Sequence, residues 1–129
     1  MNILLDTHVA IWALLVPERL TNSVRSLIAD ADNLVHVSAA SIWEIAIKRA
    51  LRRASAPPFS AHVAVASFRE AGFVLLDVTS EHAIAVETLP RLHADPFDRL
   101  LVAQALTEPL RLVTRDPKVA AYSDTIIAF

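Results

Sequence analysis

The sequence predicts a three-layer α/β/α sandwich, with helices on both faces of a central, mostly parallel sheet of four to five strands. Two observations predict it. Short apolar runs alternate with longer helical segments along the whole chain. Those runs are continuously apolar, as strands buried on both faces are, rather than alternating as one-sided strands are. The chain also holds a single Gly, so its connections must be made by Pro, Asn, Asp and Ser.

Each element follows in order. Asn2-Ile-Leu-Leu reads as a buried strand ending at Asp6, and Val9 to about Leu15 as a helix stopped near Pro17. A second helix runs from Thr21 or Asn22 to about Ala31. Leu34-Val-His-Val is the second strand, ending at Ser38. Ser41 to about Arg53 reads as a helix whose start, Ser41-Ile-Trp-Glu44, fits the S-x-x-E capping pattern. Pro57-Pro58 breaks the chain. Ser60 to Ala71 is a helix closed by Gly72, and Phe73 to Asp77 a third strand. Ser80 to Leu89 is a helix with Ser80 as its cap. Asp95 caps a helix over Pro96 to Thr107, with Pro at the first helical position. Leu110 to Thr114 is a fourth strand ending near Asp116, and Thr125 to Phe129 is a candidate fifth.

Composition bounds the function. The 129 residues predict a single domain over 1–129, and 54% hydrophobic against 20% charged residues argues for a sizeable core. With no Cys there is no disulfide, thiol nucleophile or Cys-ligated zinc. The apolar run Val9–Val16 is shorter than the roughly 20 residues a bilayer span needs, and no basic leader precedes it. The expectation is a soluble, cytoplasmic protein with no membrane partner. A net charge of −2 is not that of a dedicated nucleic-acid binder, although Lys48, Arg49, Arg52 and Arg53 form a local basic cluster. No glycine-rich phosphate loop and no GxSxG nucleophile elbow appears. Five scattered His show no zinc-ligand spacing.

The informative residues are acidic. In a parallel sheet, functional groups collect at the carboxyl ends of strands. Asp6 ends the first strand, Asp116 follows the fourth, Glu44 lies one turn into the helix after the second, and Asp95 and Asp98 open the helix that feeds the fourth. If strands one, two and four are neighbours, these carboxylates converge. At about 4 Å and an effective dielectric near 20, each like-charge pair costs on the order of 4 kcal/mol. A proton, a cation or the neighbouring Arg99 and Arg115 must offset that. A hard divalent cation, Mg²⁺ or Mn²⁺, suits oxygen ligands. Each acid also has a plainer reading. Asp95 and Asp98 suit a helix start, Glu44 pairs with Lys48 one turn on, and Asp116-Pro117 makes a turn. Asp6 is hardest to explain this way, because an acid at the end of a buried strand rarely serves stability.

Four segments, MNILLDTHVAIWAL, SAASIWEIAIK, DPFDRLLVAQAL and LVTRDPKVAAY, occur in this order across nearly the whole chain. Together they resemble the PIN-domain ribonucleases, and more narrowly the VapC toxins of type II toxin–antitoxin systems. The resemblance implies a PIN-like fold and a Mg²⁺- or Mn²⁺-dependent endoribonuclease, held inactive by a small antitoxin and commonly a homodimer. It implies Asp6, Glu44, Asp98 and Asp116 as the catalytic acids, with Asp6, Asp98, Asp116 and also Asp95 as metal ligands. Thr114 matches the hydroxyl residue before the last acid and is expected at the substrate. Arg49, Arg52 and Arg53 are candidates for phosphate contact, or a solvated basic face. Trp12, Trp43 and Leu51 are candidates for an interface or for the core, and His8 and His93 lie near the acids.

Other readings remain open. A phosphotransfer domain of related topology would want a second Asp two residues after Asp6, where His8 stands. A non-catalytic module on the same fold has no need of mutually repelling carboxylates. A PIN nuclease of RNA processing, outside toxin–antitoxin biology, would carry the same acids.

Overall fold

The computed structural model describes residues 1–129. Five strands form one sheet in the order β3-β2-β1-β4-β5, and every pairing is parallel. They are β1 (Asn2–Leu5), β2 (Leu34–Ser38), β3 (Val74–Leu76), β4 (Arg111–Thr114) and β5 (Ile127–Ala128). The helices are α1 (Thr7–Leu15), α2 (Asn22–Ala29), α3 (Ala39–Ala50), α4 (Ala61–Glu70), α5 (Ser80–Val86), α6 (Pro96–Thr107) and α7 (Pro117–Ala120), with a 3₁₀ turn over Pro17–Arg19. None of them is long and apolar enough to cross a membrane.

Alternation along the strands divides the core in two. Ile3 and Leu5 of β1, Val35 and Val37 of β2 and Val113 of β4 bury one face against Val9, Val24, Ala64 and Phe68. Leu4 and Leu112 point the other way, onto Leu101, Val102, Ala105 and Val119. Both faces are therefore covered, which is why the strands read as unbroken apolar runs.

Several boundaries differ from the sequence expectation, and the cap chemistry says why. Helix α1 begins at Thr7 rather than Val9, because Asp6 is itself its N-cap and accepts from the Val9 N–H at 2.9 Å. Helix α3 begins at Ala39, capped by Ser38 and not by Ser41, so the S-x-x-E pattern is not a capping box here. Thr79, not Ser80, caps α5, with His82 at the third position closing the box onto the Thr79 N–H. Asp116-Pro117 opens the short helix α7 instead of a simple turn. Helix α6 matches its predicted bounds.

A buried polar chain holds α6 to the sheet. The Ser38 hydroxyl donates to Gln104 Oε1 at 2.6 Å, and Gln104 Nε2 donates to the Asp77 carbonyl at 3.3 Å. His82, fully buried, meets Glu108 Oε2 at 2.5 Å. Nothing in the apolar periodicity announced Gln104, which occupies a core position and ties α6 to the ends of β2 and β3.

The two left-handed residues sit at matching places. Gly72 (φ 85) ends α4, and the Phe73 N–H reaches back to the Phe68 carbonyl at 3.0 Å. Arg52 (φ 52) ends α3, and the Arg53 N–H reaches the Lys48 carbonyl at 2.9 Å. Both are Schellman closures, a geometry that favours Gly after the cap. The one glycine serves α4, and α3 closes on an arginine. Because the left-handed conformation is strained for a side-chain-bearing residue, Arg52→Gly is expected to raise unfolding stability by about 1 kcal/mol. Gly72→Ala, where an added Cβ meets no atom within 4 Å, is expected to lower it by a similar ~1 kcal/mol, through backbone strain alone. Urea denaturation of both variants checks this, and a stabilised Gly72→Ala would contradict it.

Candidate metal centre

In right-handed crossovers of a parallel sheet, the helix after each strand starts at the sheet's carboxyl edge. The acids are placed there by that rule. Asp6 leaves β1 and caps α1, Asp116 follows β4 and caps α7, and Asp95 caps α6 with Asp98 in its first turn. Because β1 lies between β2 and β4, Glu44 on α3 comes in from the β2 side.

Asp6 is buried at 6% exposure, and both of its oxygens are used. Oδ1 accepts from Val9, and Oδ2 accepts the Thr114 hydroxyl at 2.5 Å. Burial pushes its carboxyl above the ordinary range. The Thr114 and Val9 bonds and the His8 charge oppose that, while Glu44 adds to it. Thr114 itself is fully buried. Its hydroxyl, expected at the substrate, is engaged by Asp6.

Glu44, at 4% exposure, accepts the Thr7 hydroxyl on Oε1 at 2.8 Å and meets Lys48 Nζ on Oε2 at 2.8 Å. Thr7 also lies 2.8 Å from the buried Ser41 hydroxyl. The i, i+4 pair expected of Glu44 and Lys48 is thus present, and the carboxylate faces the acid cluster as well. Asp98 registers the charges of Asp95, Asp6 and Glu44.

Asp98 is raised as well. Burial first, then the charges of Asp95 and Asp6, lift it from 3.8 to about 7, with His93 pulling the other way. Asp116 carries some burial penalty, but the Lys118 N–H, the His93 bond and the charges of His93 and Lys118 outweigh it and hold the carboxyl below its usual value. Asp95 spends Oδ1 on the Phe97 and Asp98 N–H groups, at 2.8 and 3.3 Å. Its capping role is realised in full.

Sequence reasoning left His93 beside the site. Its Nδ1 accepts the Asp95 N–H at 3.1 Å, which leaves the ring proton on Nε2. That Nε2 lies 3.1 Å from Asp98 Oδ2 and 2.9 Å from Asp116 Oδ2, bridging the two. One donor atom on each of His93, Asp98 and Asp116 lies within 4.8 Å of the others. The only signal in the sequence was the two-residue separation of His93 from Asp95. Tyr122 was not singled out either, although its hydroxyl accepts from the His93 and Leu92 N–H groups at 3.0 and 3.2 Å.

The two arginines expected to neutralise acids do not. Arg99 donates to the carbonyls of Pro90 and Val86 and to the Tyr122 hydroxyl, bracing the segment before α6. Arg115 reaches the Arg19 carbonyl and lies over the Phe129 ring. Arg49, Arg52 and Arg53 are all exposed. Arg53 alone of them lines a groove of about 340 Å³ with Glu44, Lys48, Leu51, Asp95 and Phe97. Trp43, at 59% exposure, packs edge-on against Phe97 with ring centroids 5.2 Å apart, and Leu51 is 61% exposed. Neither belongs to the core, whereas Trp12 is half-buried against it.

The donor set suits a hard divalent cation. It offers several carboxylate oxygens and no thiolate, and the unrelieved repulsion on Asp98 is what a cation would remove. In the tautomer described, His93 is a donor to the carboxylates rather than a ligand. Asp98 binds its proton more tightly in the folded chain than in the unfolded one. Its contribution to stability is therefore full below about pH 4 and is lost as pH rises through about 7. The metal-free protein is expected to show a Tm that falls between about pH 5 and pH 8, and Asp98→Asn is expected to flatten that slope. Thermal unfolding in chelator checks it, and a parent-minus-variant difference that grows with pH would show the repulsion to be misplaced.

Comparison with known proteins places this geometry. The PIN domain family model matches residues 3–124. The chain is 33% identical over 132 residues to ribonuclease VapC22 of Mycobacterium tuberculosis, covering 94% of this chain and 92% of that protein. Its fold is similar to a chain of the VapBC2 complex of Rickettsia felis bound to a promoter DNA fragment, with a TM-score of 0.69, 16% identity, and 100% and 98% of the two chains covered. It is also similar to a chain of the FitAcB structure of Neisseria gonorrhoeae, with a TM-score of 0.62, 22% identity, and coverage of 100% and 97%. A family match over nearly the whole chain, joined to this sheet order and this edge of acids, makes the chain a member of the PIN domain family.

Proposed function

We propose that this chain is a Mg²⁺- or Mn²⁺-dependent endoribonuclease that hydrolyses RNA phosphodiester bonds, and that it is the toxin of a type II toxin–antitoxin pair. The observation that carries this reading is the convergence of Asp6, Asp98 and Asp116 at one sheet edge, where His93 Nε2 lies 3.1 Å from Asp98 and 2.9 Å from Asp116. Asp98 sits among them with its carboxyl raised to about 7, first by burial and then by the charges of Asp95 and Asp6, which suits a site for a cation. The similarity to ribonuclease VapC22 supports RNA as the substrate class. The likeness to chains of VapBC complexes supports a small antitoxin as partner.

Asp6, Asp98 and Asp116 would hold the ion, with Asp95 contributing charge from its capping position. When bound, the divalent cation supplies Lewis acidity, acidifying water and offsetting charge on the phosphate. The protein's own residues prepare that position. Thr114 and the Val9 N–H orient Asp6, and the α6 N-terminus supports Asp98 with its positive end. His93 keeps Asp98 and Asp116 together through one N–H. Glu44, held by Thr7 and Lys48, is fixed beside the other acids as the fourth catalytic carboxylate and anchors α3 at the site.

RNA must approach against a net charge of −2. Arg53 in the groove beside Glu44 and Asp95, with Arg49 and Arg52 on the same exposed turn, supplies the local positive charge for phosphate contact. Leu51 and the half-buried Phe97 in that groove, with the exposed Trp43 packed on Phe97, give an antitoxin segment an apolar surface next to the acids. A segment seated there would cover the approach to the site.

Purified protein free of antitoxin, incubated with total cellular RNA, tests the reading. Cleavage is expected with Mn²⁺ or Mg²⁺ and not in chelator. Asp6→Asn and Asp98→Asn are each expected to reduce it by at least about 100-fold, beyond the ~10–100-fold typical of outer partners of a metal site. Cleavage that persists in chelator, or that survives in Asp6→Asn, would overturn the assignment.

A further inference from the structure

Beside the acids lies a cavity of about 210 Å³ that the cleavage chemistry does not use. Thr7, His8 and Trp12 of α1, Arg19, Lys48 of α3 and Pro57 line it. Its inner wall is shared with the acid cluster. Thr7 follows Asp6 directly and donates to Glu44, which also borders the cavity. Its outer part is built from planar groups. The His8 imidazole and the Trp12 indole have ring centroids 6.0 Å apart at 47°, and the Arg19 guanidinium lies 5.6 Å from the Trp12 ring centroid. Arg19 makes no ion pair, and Lys48 pairs only with Glu44.

The volume is below the roughly 300 Å³ at which drug-sized pockets begin, so it suits one ring system. An apolar peptide side chain would fill the space but make no use of the Arg19 charge. A nucleotide matches both parts, because an unpaired base stacks on aromatic and guanidinium planes while its phosphate meets a cation.

We propose that this cavity is a base subsite, taking one unpaired base of an RNA strand against the His8–Trp12 wall with its phosphate on Arg19, next to the phosphodiester cleaved at the acids. The proposal rests on the RNA-cleaving reading above and deepens it. It makes the substrate single-stranded at this point and locates a source of sequence preference outside the acid cluster.

Trp43→Phe leaves Trp12 as the sole indole, since the chain has two Trp. In that background and in chelator, single-stranded poly(U), poly(A) and poly(C) RNA are titrated against Trp12 fluorescence. Saturable quenching is expected, with affinities that differ between the homopolymers. With Mn²⁺ and a mixed-sequence single-stranded RNA, Trp12→Leu and Arg19→Gln are each expected to raise KM about fivefold or more and to broaden the set of cleaved sequences. Manganese binding by calorimetry is expected to be unchanged. Arg19 is exposed, so its variant carries the test if Trp12→Leu fails to fold. Unchanged KM and unchanged cleavage sites in Arg19→Gln, with no response of Trp12 to RNA, in a protein that does cleave, would overturn the subsite alone. So would variants that lose only affinity for a partner protein, which would make this a peptide pocket. A parent protein that neither cleaves nor binds RNA would remove the RNA-cleaving reading and the subsite with it.

Discussion

Four carboxylates and a fifth on the neighbouring helix have to share one edge of a sheet, and the fold is arranged around making that tolerable. The main device is the helix N-terminus. Asp6, Asp95 and Asp116 each cap a helix that starts at the carboxyl edge, so each carboxylate faces unpaired N–H groups and the positive end of a helix dipole. Capping and charge gathering are often offered as competing explanations of an acidic residue. Here they are the same contact. A parallel sheet with right-handed crossovers supplies several such helix ends side by side, which an antiparallel sheet would not.

The remaining charge is handled unequally. Lys48 offsets Glu44, and the Lys118 N–H and His93 settle Asp116. Asp98 shares the His93 N–H with Asp116 yet stays raised, first by burial and then by Asp95 and Asp6, and that is where the repulsion remains. Holding an unrelieved carboxylate in place takes a rigid support. Gln104 bonds α6 to Ser38 and to the Asp77 carbonyl, while Arg99 and Tyr122 brace the segment that leads into the same helix. The acids therefore converge because their helix cannot slide, and His93 is carried with them on the backbone that Tyr122 holds.

Much of this could be read from local sequence because the physics behind it is local. Pro at the first position of α6, Asp before it and a carboxylate two residues later are a helix start in any context, and its bounds were recovered. Local logic failed where two residues offered the same chemistry. Ser38 and Ser41 are both able caps, as are Thr79 and Ser80, and in each pair the earlier residue caps. The end of α3 was placed too late, because a Schellman closure on arginine carries no glycine to announce it. The partners of Arg99 and Arg115 were misjudged for a different reason. Adjacency in the chain says nothing about which way a long side chain turns.

What the sequence determined by itself is the class of fold and the identity of the acids. Continuous apolar strands demand cover on both faces, and an acid that ends such a strand has few structural uses. What only the tertiary structure decided is who touches whom. The order β3-β2-β1-β4-β5 puts Asp6 between Glu44 and Asp116. The same packing buries Thr114 against Asp6, turns His93 onto two carboxylates and leaves Trp43 outside while Trp12 borders a cavity. These are contacts between residues distant in the chain, some more than 100 positions apart as Thr114 and Asp6 are. Their geometry follows from how two layers of helices settle on one sheet, and no local pattern in the sequence encodes that.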